Sequence, residues 1–186
     1  MIVTPKPWKS FVSPLPSPGR QFCLHDIDVQ LERFGALGSF VQVWRDKWRD
    51  GKLPSWSDFD FYDFGGWHGW IHIDEVISAS PFEMRCRLWG SALVDRLGID
   101  ETGKLLSRSP AIVERNLIPF YQDILSIPAI GTNSGLVTSY GRASEWSVIK
   151  LPCPGYGAEP DVILSCSLSG IALVFQPEGL LEGRSG

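Results

Sequence analysis

Two histidines, His68 and His72, come nearest in type and spacing to a metal site. On a β-strand, side chains four residues apart lie on one face, so both imidazoles could reach the same ion. A third ligand is not evident, although Asp74 and Glu75 follow closely. We therefore predict hydrogen-bonded strand histidines here and no metal ligands.

Three aspartates, Asp58, Asp60 and Asp63, lie between aromatic residues in the segment SDFDFYDF. Calcium loops place oxygen ligands at regular short spacing, with a glycine turn and a closing glutamate. That pattern is missing, so the aspartates are predicted to cap helical turns.

The sequence predicts no catalytic residues. A nucleophilic serine or cysteine needs a strained turn and a base within reach, and no GxSxG motif is present among the 186 residues. The Gly155–Gly157 segment is not followed by a lysine or a helix start, so it is not a phosphate loop. We expect a protein that is not an enzyme; the opposite hypothesis would need a convergent acid–base pair in a cavity.

A small-molecule pocket is the site that the sequence favours. The segment 82–88 alternates apolar residues with Arg85 and Arg87, which would hold an acidic ligand if they faced inward and would be solvated otherwise. We predict that apolar and aromatic side chains form the pocket walls. The candidate ligand-binding residues are Met84, Cys86, Leu88, Phe120, Tyr121, Trp146, Val148, Leu164 and Cys166.

Composition excludes several classes of function. Hydrophobic residues make up 44% of the chain and the net charge is −4, so the chain can bury a core but lacks the basic surface that binds nucleic acid. The four cysteines form no CxxC pair, which predicts free thiols in a reducing compartment. No apolar run is long enough for a signal sequence or a membrane span. We expect a cytoplasmic protein that binds neither nucleic acid nor membrane.

The N-terminal third predicts a long amphipathic helix. Apolar residues recur every three or four positions from Ile27 to Trp48, which places them on one stripe, and Gly35 and Gly38 are expected to bend or break the helix. This stripe could pack on the protein's own sheet or on a second copy.

The rest of the chain alternates between strands and short helices. Period-two patterns predict a hairpin from 70–76 and 82–88, and three further strands over 136–140, 146–151 and 162–168. Short helices are predicted at 91–97 and from Ser109-Pro110 onward, with a kink at Pro119. Segregated strands and helices indicate an α+β fold with an antiparallel sheet.

Three segments resemble a known family. They are LPSWSDFDFYDF (53–64), RLWGSALVDRLG (87–98) and DETGK (100–104). Together they are similar to a family of stand-alone PAS-like proteins of proteobacteria, over about 40–173. Ser91 stands where that family usually has threonine, and Trp89 is bulkier than the residue usual there.

The resemblance implies a five-stranded antiparallel sheet with helices over one face, to which the chain adds an N-terminal helix. The prolines and serines of the N-terminus predict an extended arm over 1–25, which precedes the PAS-like domain over 26–175, and the polar, glycine-rich C-terminus predicts a flexible tail over 176–186. The resemblance also implies a sensory role without catalysis. Since no kinase, cyclase or DNA-binding module is evident in the sequence, we expect the output to pass through a separate signalling partner. Haem is not expected, because no histidine follows His72, and no reactive-cysteine flavin motif is visible.

Two functions follow as hypotheses. In the first, the domain senses a small molecule that is bound in a cavity between sheet and helices, with the cofactor or ligand unknown. In the second, it is a ligand-free interaction module that forms a homodimer through its N-terminal helix. A closed cavity larger than a few waters would favour the first, and a filled interior with a large apolar interface would favour the second.

Overall fold

The computed structural model describes residues 21–109, 117–139, 142–155 and 157–170. The described residues form six strands, three α-helices and five short segments of 3-10 helix. The strands are β1 Gln21–His25, β2 Ile71–Ala79, β3 Phe82–Trp89, β4 Ile130–Ser139, β5 Arg142–Pro154 and β6 Pro160–Ser169. The α-helices are α1 Gly38–Asp46, α2 Ser91–Leu97 and α3 Ile118–Ser126. Turns of 3-10 helix cover Leu31–Leu37, Trp56–Asp58, Phe61–Phe64, His68–Trp70 and Leu106–Arg108.

The strands form one antiparallel sheet in the order β1-β4-β5-β6-β2-β3. This confirms the α+β class and the predicted hairpin of β2 and β3. The sheet has six strands rather than the predicted five, because Gln21–His25, expected as part of an extended arm, pairs with β4. Backbone pairing along the exposed edge of β4 is what orders this segment.

Both faces of the sheet are covered, whereas helices were expected over one face. The strands alternate, so neighbouring residues of β6 point to opposite sides. Leu164 and Cys166 belong to an apolar core with α1, and Ser165 and Ser167 lie on the other side. We call these the α1 face and the cavity face.

On the α1 face, the predicted amphipathic stripe packs against the protein's own sheet. Phe34, Leu37, Phe40, Val41 and Trp44 are all almost completely buried there. The helix is broken, as the glycines predicted: Gly35 has φ 51° and interrupts the Leu31–Leu37 segment, which precedes α1.

On the cavity face, α3 lies close to β4 at Gly131. A Cβ built on Gly131 would be 2.3 Å from Ile124 Cδ1, so a larger residue here would force the Ile124 side chain to move. Pro119 lies in the first turn of α3 and does not kink it, because a proline is tolerated where the N–H has no helical partner. The helix predicted to start at Ser109-Pro110 falls largely outside the described residues.

The segment from β3 to the Leu106–Arg108 turn is held by close backbone contacts. The Gly103 N–H donates to Cys86 O at 2.7 Å, and the Cys86 N–H donates to Lys104 O at 2.9 Å, so the DETGK turn pairs with β3. Gly98 ends α2 with φ 75°, a left-handed conformation that suits glycine. Among the described residues, no helix has both the length and the apolar character to cross a membrane.

Candidate functional site

A cavity of about 240 Å³ lies between the cavity face, α3 and the 97–109 segment. By the same measure, a single water needs only about 10–15 Å³. The cavity is lined on the sheet side by residues of β2 to β6, including His72, Asp74, Cys86, Asn133, Trp146, Val148, Lys150 and Ser167. On the helical side it is lined by residues that include Leu97, Ile99, Glu101, Leu105, Leu117 and Tyr121.

Lys150 is a buried lysine at one wall of this cavity, with 2% of its surface exposed. Its ammonium group lies 2.9 Å from Tyr121 Oη, 3.3 Å from His72 Nε2 and 3.4 Å from Ser165 Oγ. An ammonium group has three N–H donors, so these acceptors account for all of them.

The negative charge that matches Lys150 is Asp74, which is 3% exposed. The Tyr121 hydroxyl bridges the two charges, because it accepts from Lys150 and donates to the Asp74 carboxylate. His72 also lies between them, with Nε2 at 3.9 Å from Asp74 Oδ2. We call Lys150, Tyr121, Asp74, His72 and Ser165 the lysine cluster.

Burial shifts the pKa values of Asp74, Lys150 and His72 in the direction that favours the neutral form of each. It raises the pKa of Asp74 to about 6, although the Lys150 charge and the Tyr121 hydrogen bond oppose the rise. It lowers the pKa of Lys150 to about 8, against the pull of the Asp74 charge. Burial, and then the Lys150 charge, hold the pKa of His72 well below its usual range. At neutral pH, Lys150 and Asp74 therefore form an ion pair beside a neutral imidazole.

The hydrogen-bond pattern determines the tautomer of His72. Since Nε2 accepts from Lys150, the proton of the neutral ring is on Nδ1. That N–H has no hydrogen-bond partner among the described residues, and the same holds for Trp89 Nε1 and Asn133 Oδ1. All three residues line the cavity. Buried polar atoms without a partner are uncommon in folded proteins. Among the described residues, Glu101 Oε2 at the cavity and the indole nitrogens of Trp44 and Trp48 on the α1 face are also without one, so four of these six atoms belong to residues of the cavity lining.

Strand alternation and register bring the lysine cluster together. In the sheet, Ser165 of β6 is the direct neighbour of both His72 on β2 and Lys150 on β5. Asp74 follows two residues after His72 and so lies on the same face of β2. Tyr121 reaches the cluster from α3, which approaches the sheet over Gly131, the β4 neighbour of Lys150.

A second ion pair lies at the edge of the cavity. Glu101, which is 7% exposed, has Oε2 at 3.7 Å from Lys104 Nζ. Both residues belong to the DETGK turn. The turn is shaped by Asp100, which accepts from the Thr102 N–H at 2.8 Å, while Thr102 Oγ1 accepts from the Trp89 N–H at 3.1 Å.

Four of the nine residues predicted to bind ligand line the cavity: Cys86, Tyr121, Trp146 and Val148. Leu164 and Cys166 lie on the α1 face instead, because the residues of β6 that face the cavity are their polar neighbours. Met84 is buried in the core between α3 and the sheet, and Phe120 packs beside it against Phe22. Leu88 is exposed.

The polar residues of the cavity were not among the predicted ligand-binding residues. Hydrophobicity alone favours the apolar strand positions, but β2 presents His72 and Asp74 to the cavity, β5 presents Lys150 beside Trp146 and Val148, and β6 presents Ser167. A signal was available in the sequence: Lys150 interrupts an otherwise apolar strand, SVIKLPC, at a position that shares a face with Val148.

The remaining polar candidates lie outside the cavity. Asp58, Asp60 and Asp63 take part in capping boxes, as predicted. Arg85 and Arg87 are on the exposed side of β3 and pair with Glu75. His68 Nε2 lies 2.6 Å from the backbone oxygen of Phe61, and His68, unlike His72, does not belong to the lysine cluster. No group of three potential metal ligands occurs among the described residues.

Comparison with known proteins assigns the chain to no group. No family model matches, and neither a curated protein nor a solved structure is significantly similar.

Proposed function

We propose that this protein is a PAS-like sensory domain that binds a small molecule in the cavity beside the lysine cluster and does not act as a catalyst. The antiparallel sheet, the helices over its cavity face and the DETGK turn paired to β3 support the PAS-like part. The cytoplasmic location, and a separate signalling partner, remain part of the same proposal.

The observation that carries the ligand proposal is a cavity of about 240 Å³ bordered by polar atoms without partners. A buried ion pair is often no better for stability than well-packed apolar residues. Its presence beside an open space is therefore better explained by recognition than by folding. The volume suits a compact metabolite and is small for haem or a flavin.

Native mass spectrometry of the purified protein tests this proposal. We expect a retained small molecule, which Val148→Phe should exclude because the larger side chain fills the cavity. Ile127→Phe is the matched control, since Ile127 is 50% exposed and does not line the cavity. If the wild type carries no molecule and binds none from a metabolite extract, the proposal is wrong.

The alternative hypothesis is a homodimer formed through the N-terminal helix, but the apolar side of that helix is already covered by the protein's own sheet. The apolar residues of α1 are buried against the sheet of the same chain, so a second copy would have to use other residues. The same mass spectra count the subunits. A dimer without ligand would favour this alternative.

An enzyme is a second candidate because the lysine cluster places acid and base groups beside a cavity. Lys150 and Asp74 have pKa values of about 8 and 6, which bracket neutral pH. The donors of Lys150 are nevertheless all used within the protein, which favours binding over proton transfer to a ligand. Incubation of the extracted molecule with fresh protein decides the point: a chemical change that Tyr121→Phe abolishes would identify an enzyme.

A further inference from the structure

The charges that line the cavity cancel in pairs. Among the described residues, the lining cations are Lys150 and Lys104, and the lining anions are Asp74 and Glu101. The Tyr121 hydroxyl bridges Lys150 and Asp74. Lys104 Nζ lies 3.7 Å from Glu101 Oε2. His72 adds no charge, because its ring is neutral. The described lining thus has no net charge.

Within the described part of the lining, no cationic donor is left over for an anion. The three acceptors around Lys150 use its ammonium hydrogens, and Lys104 is opposed by a carboxylate. An anion that entered this cavity would lose its hydration without gaining a countercharge, which is costly. A cation would also gain little for its lost hydration, because each carboxylate in the described part of the lining already lies beside a lysine.

Among the described buried polar atoms that have no hydrogen-bond partner, those of cavity-lining residues include donors and acceptors, and one of the acceptors is the carboxylate oxygen Glu101 Oε2. His72 Nδ1–H and Trp89 Nε1–H are donors, and Asn133 Oδ1 is an acceptor. An amide, a lactam or a neutral heterocyclic base carries a carbonyl acceptor and an N–H donor on one small frame. The aromatic and aliphatic residues Trp146, Val148 and Leu97 would contact the apolar part of such a molecule.

We propose that the cavity selects an uncharged, compact molecule with both hydrogen-bond acceptors and donors, of the amide or neutral heterocycle class, and discriminates against carboxylates, phosphates and amines. This inference rests on the proposed function, because it presupposes that the cavity takes up a ligand.

Binding of isosteric probes tests the inference. Benzamide, benzoate and benzamidine share a ring and differ in charge, as do pentanamide, pentanoate and pentylamine on a chain. For any set that binds at pH 7.5, we expect the amide to bind at least tenfold more tightly than either charged member, by calorimetry. The molecule released from the purified protein on denaturation should likewise be uncharged at this pH.

Variants that unbalance the charges provide a second readout. Asp74→Asn leaves Lys150 unmatched and should increase benzoate affinity at least tenfold relative to benzamide. Glu101→Gln should change the preference in the same direction by a few-fold, since Lys104 is half exposed. Asp95→Asn on the exposed side of α2 changes the total charge equally and should leave the preference unaltered.

The possible failures are distinguishable. Preference of the wild type for a carboxylate or an amine overturns the inference but leaves the proposed function intact. An anion retained by the purified wild-type protein would likewise overturn the inference and leave the proposed function intact. If no molecule is retained and no probe binds, the proposed function is wrong and the inference falls with it. If Asp74→Asn does not fold, Glu101→Gln still carries the test, and an unaltered preference in that variant contradicts the charge argument.

Discussion

At the scale of single residues, the unusual feature is a lysine with almost no contact with water. Lys150 is 2% exposed, and its charge is stabilised by Asp74 and by three hydrogen-bond acceptors. Removal of one partner from a buried ion pair leaves the other charge without compensation, which costs far more than the loss of a surface pair.

Lys150→Met should therefore lower the free energy of unfolding by about 3–5 kcal/mol. Lys47→Met is the matched control, because Lys47 pairs with Asp63 at 2.7 Å but remains partly exposed, and should cost about 1 kcal/mol or less. Urea denaturation at pH 7 measures both. Equal losses in the two variants would show that the buried charge is not compensated as described.

The stability contributed by Asp74 should depend on pH in the direction opposite to that of most carboxylates. Its pKa rises from 3.8 to about 6 on folding, so between these values the folded protein holds a proton that the unfolded chain has lost. This contribution is fully present below pH 3.8 and is lost as the pH rises through about 6.

The Asp74→Asn variant has no titratable carboxyl group at this position. The stability advantage of the wild type over Asp74→Asn should therefore shrink between pH 4 and pH 7, as measured by urea midpoints across this range. Asp63 and Glu83, whose pKa values are lowered, contribute the usual opposite trend equally to both proteins. An advantage that stays constant or grows with pH would contradict the assignment.

At the scale of elements, Gly90 shows why a glycine follows β3 in the RLWGS segment. A Cβ at this position would be 2.3 Å from Gly69 O and 2.8 Å from Ile71 O, both of which belong to the backbone. The Gly90 N–H also donates to Ile71 O at 2.9 Å. The glycine thus permits the end of β3 and the start of α2 to lie directly against the start of β2.

Gly90→Ala should be strongly destabilising, by about 3 kcal/mol or more, because a backbone cannot move aside as a side chain can. Gly65→Ala is the control: it is exposed, and its nearest contact would be Tyr62 O at an ordinary 3.6 Å. Thermal unfolding of the two variants measures the difference. Similar midpoints for both would mean that the β3–α2 junction is looser than described.

At the scale of the whole molecule, a single sheet separates two cores. One core packs the sheet against α1, and the other packs it against α3. Strands β1, β2 and β6 contribute side chains to both cores, so neither core can persist when the sheet is lost. We therefore expect the described domain to unfold as one cooperative unit.

Leu37→Ala on the α1 face and Ile124→Ala on the cavity face should each cost about 2–5 kcal/mol, because both side chains are fully buried. Each variant should lower one common midpoint, observed alike by far-ultraviolet circular dichroism and by tryptophan fluorescence. Ile127→Ala, at an exposed position, is the control. Two separated transitions, one sensitive to each substitution, would contradict a shared sheet.

Much of the fold could be predicted because local patterns carry it. Period-two alternation identified the β2–β3 hairpin, and the spacing of apolar residues together with Gly35 identified a broken N-terminal helix. The short helix from Ser91, its end at Gly98 and the aspartate caps also follow from neighbouring residues alone. These features depend on interactions within a few positions of the chain, so the sequence determines them directly.

The site could be predicted only in part, because it depends on which face of each strand meets which helix. Alternation divides β6 into Leu164 and Cys166 on one side and Ser165 and Ser167 on the other, but it does not say which side borders the cavity. The side that borders the cavity is decided by tertiary packing, because α1 packs on the apolar side and α3 packs on the polar side. His72, Asp74, Tyr121 and Lys150 come from three separate elements, and only the sheet register and the approach of α3 over Gly131 place their charges together. The sequence by itself determined most of the strands and helices and the two-sided character of the strands. The tertiary structure alone decided that the polar side would enclose a cavity. Buried charges require partners, and only folding brings those partners within reach.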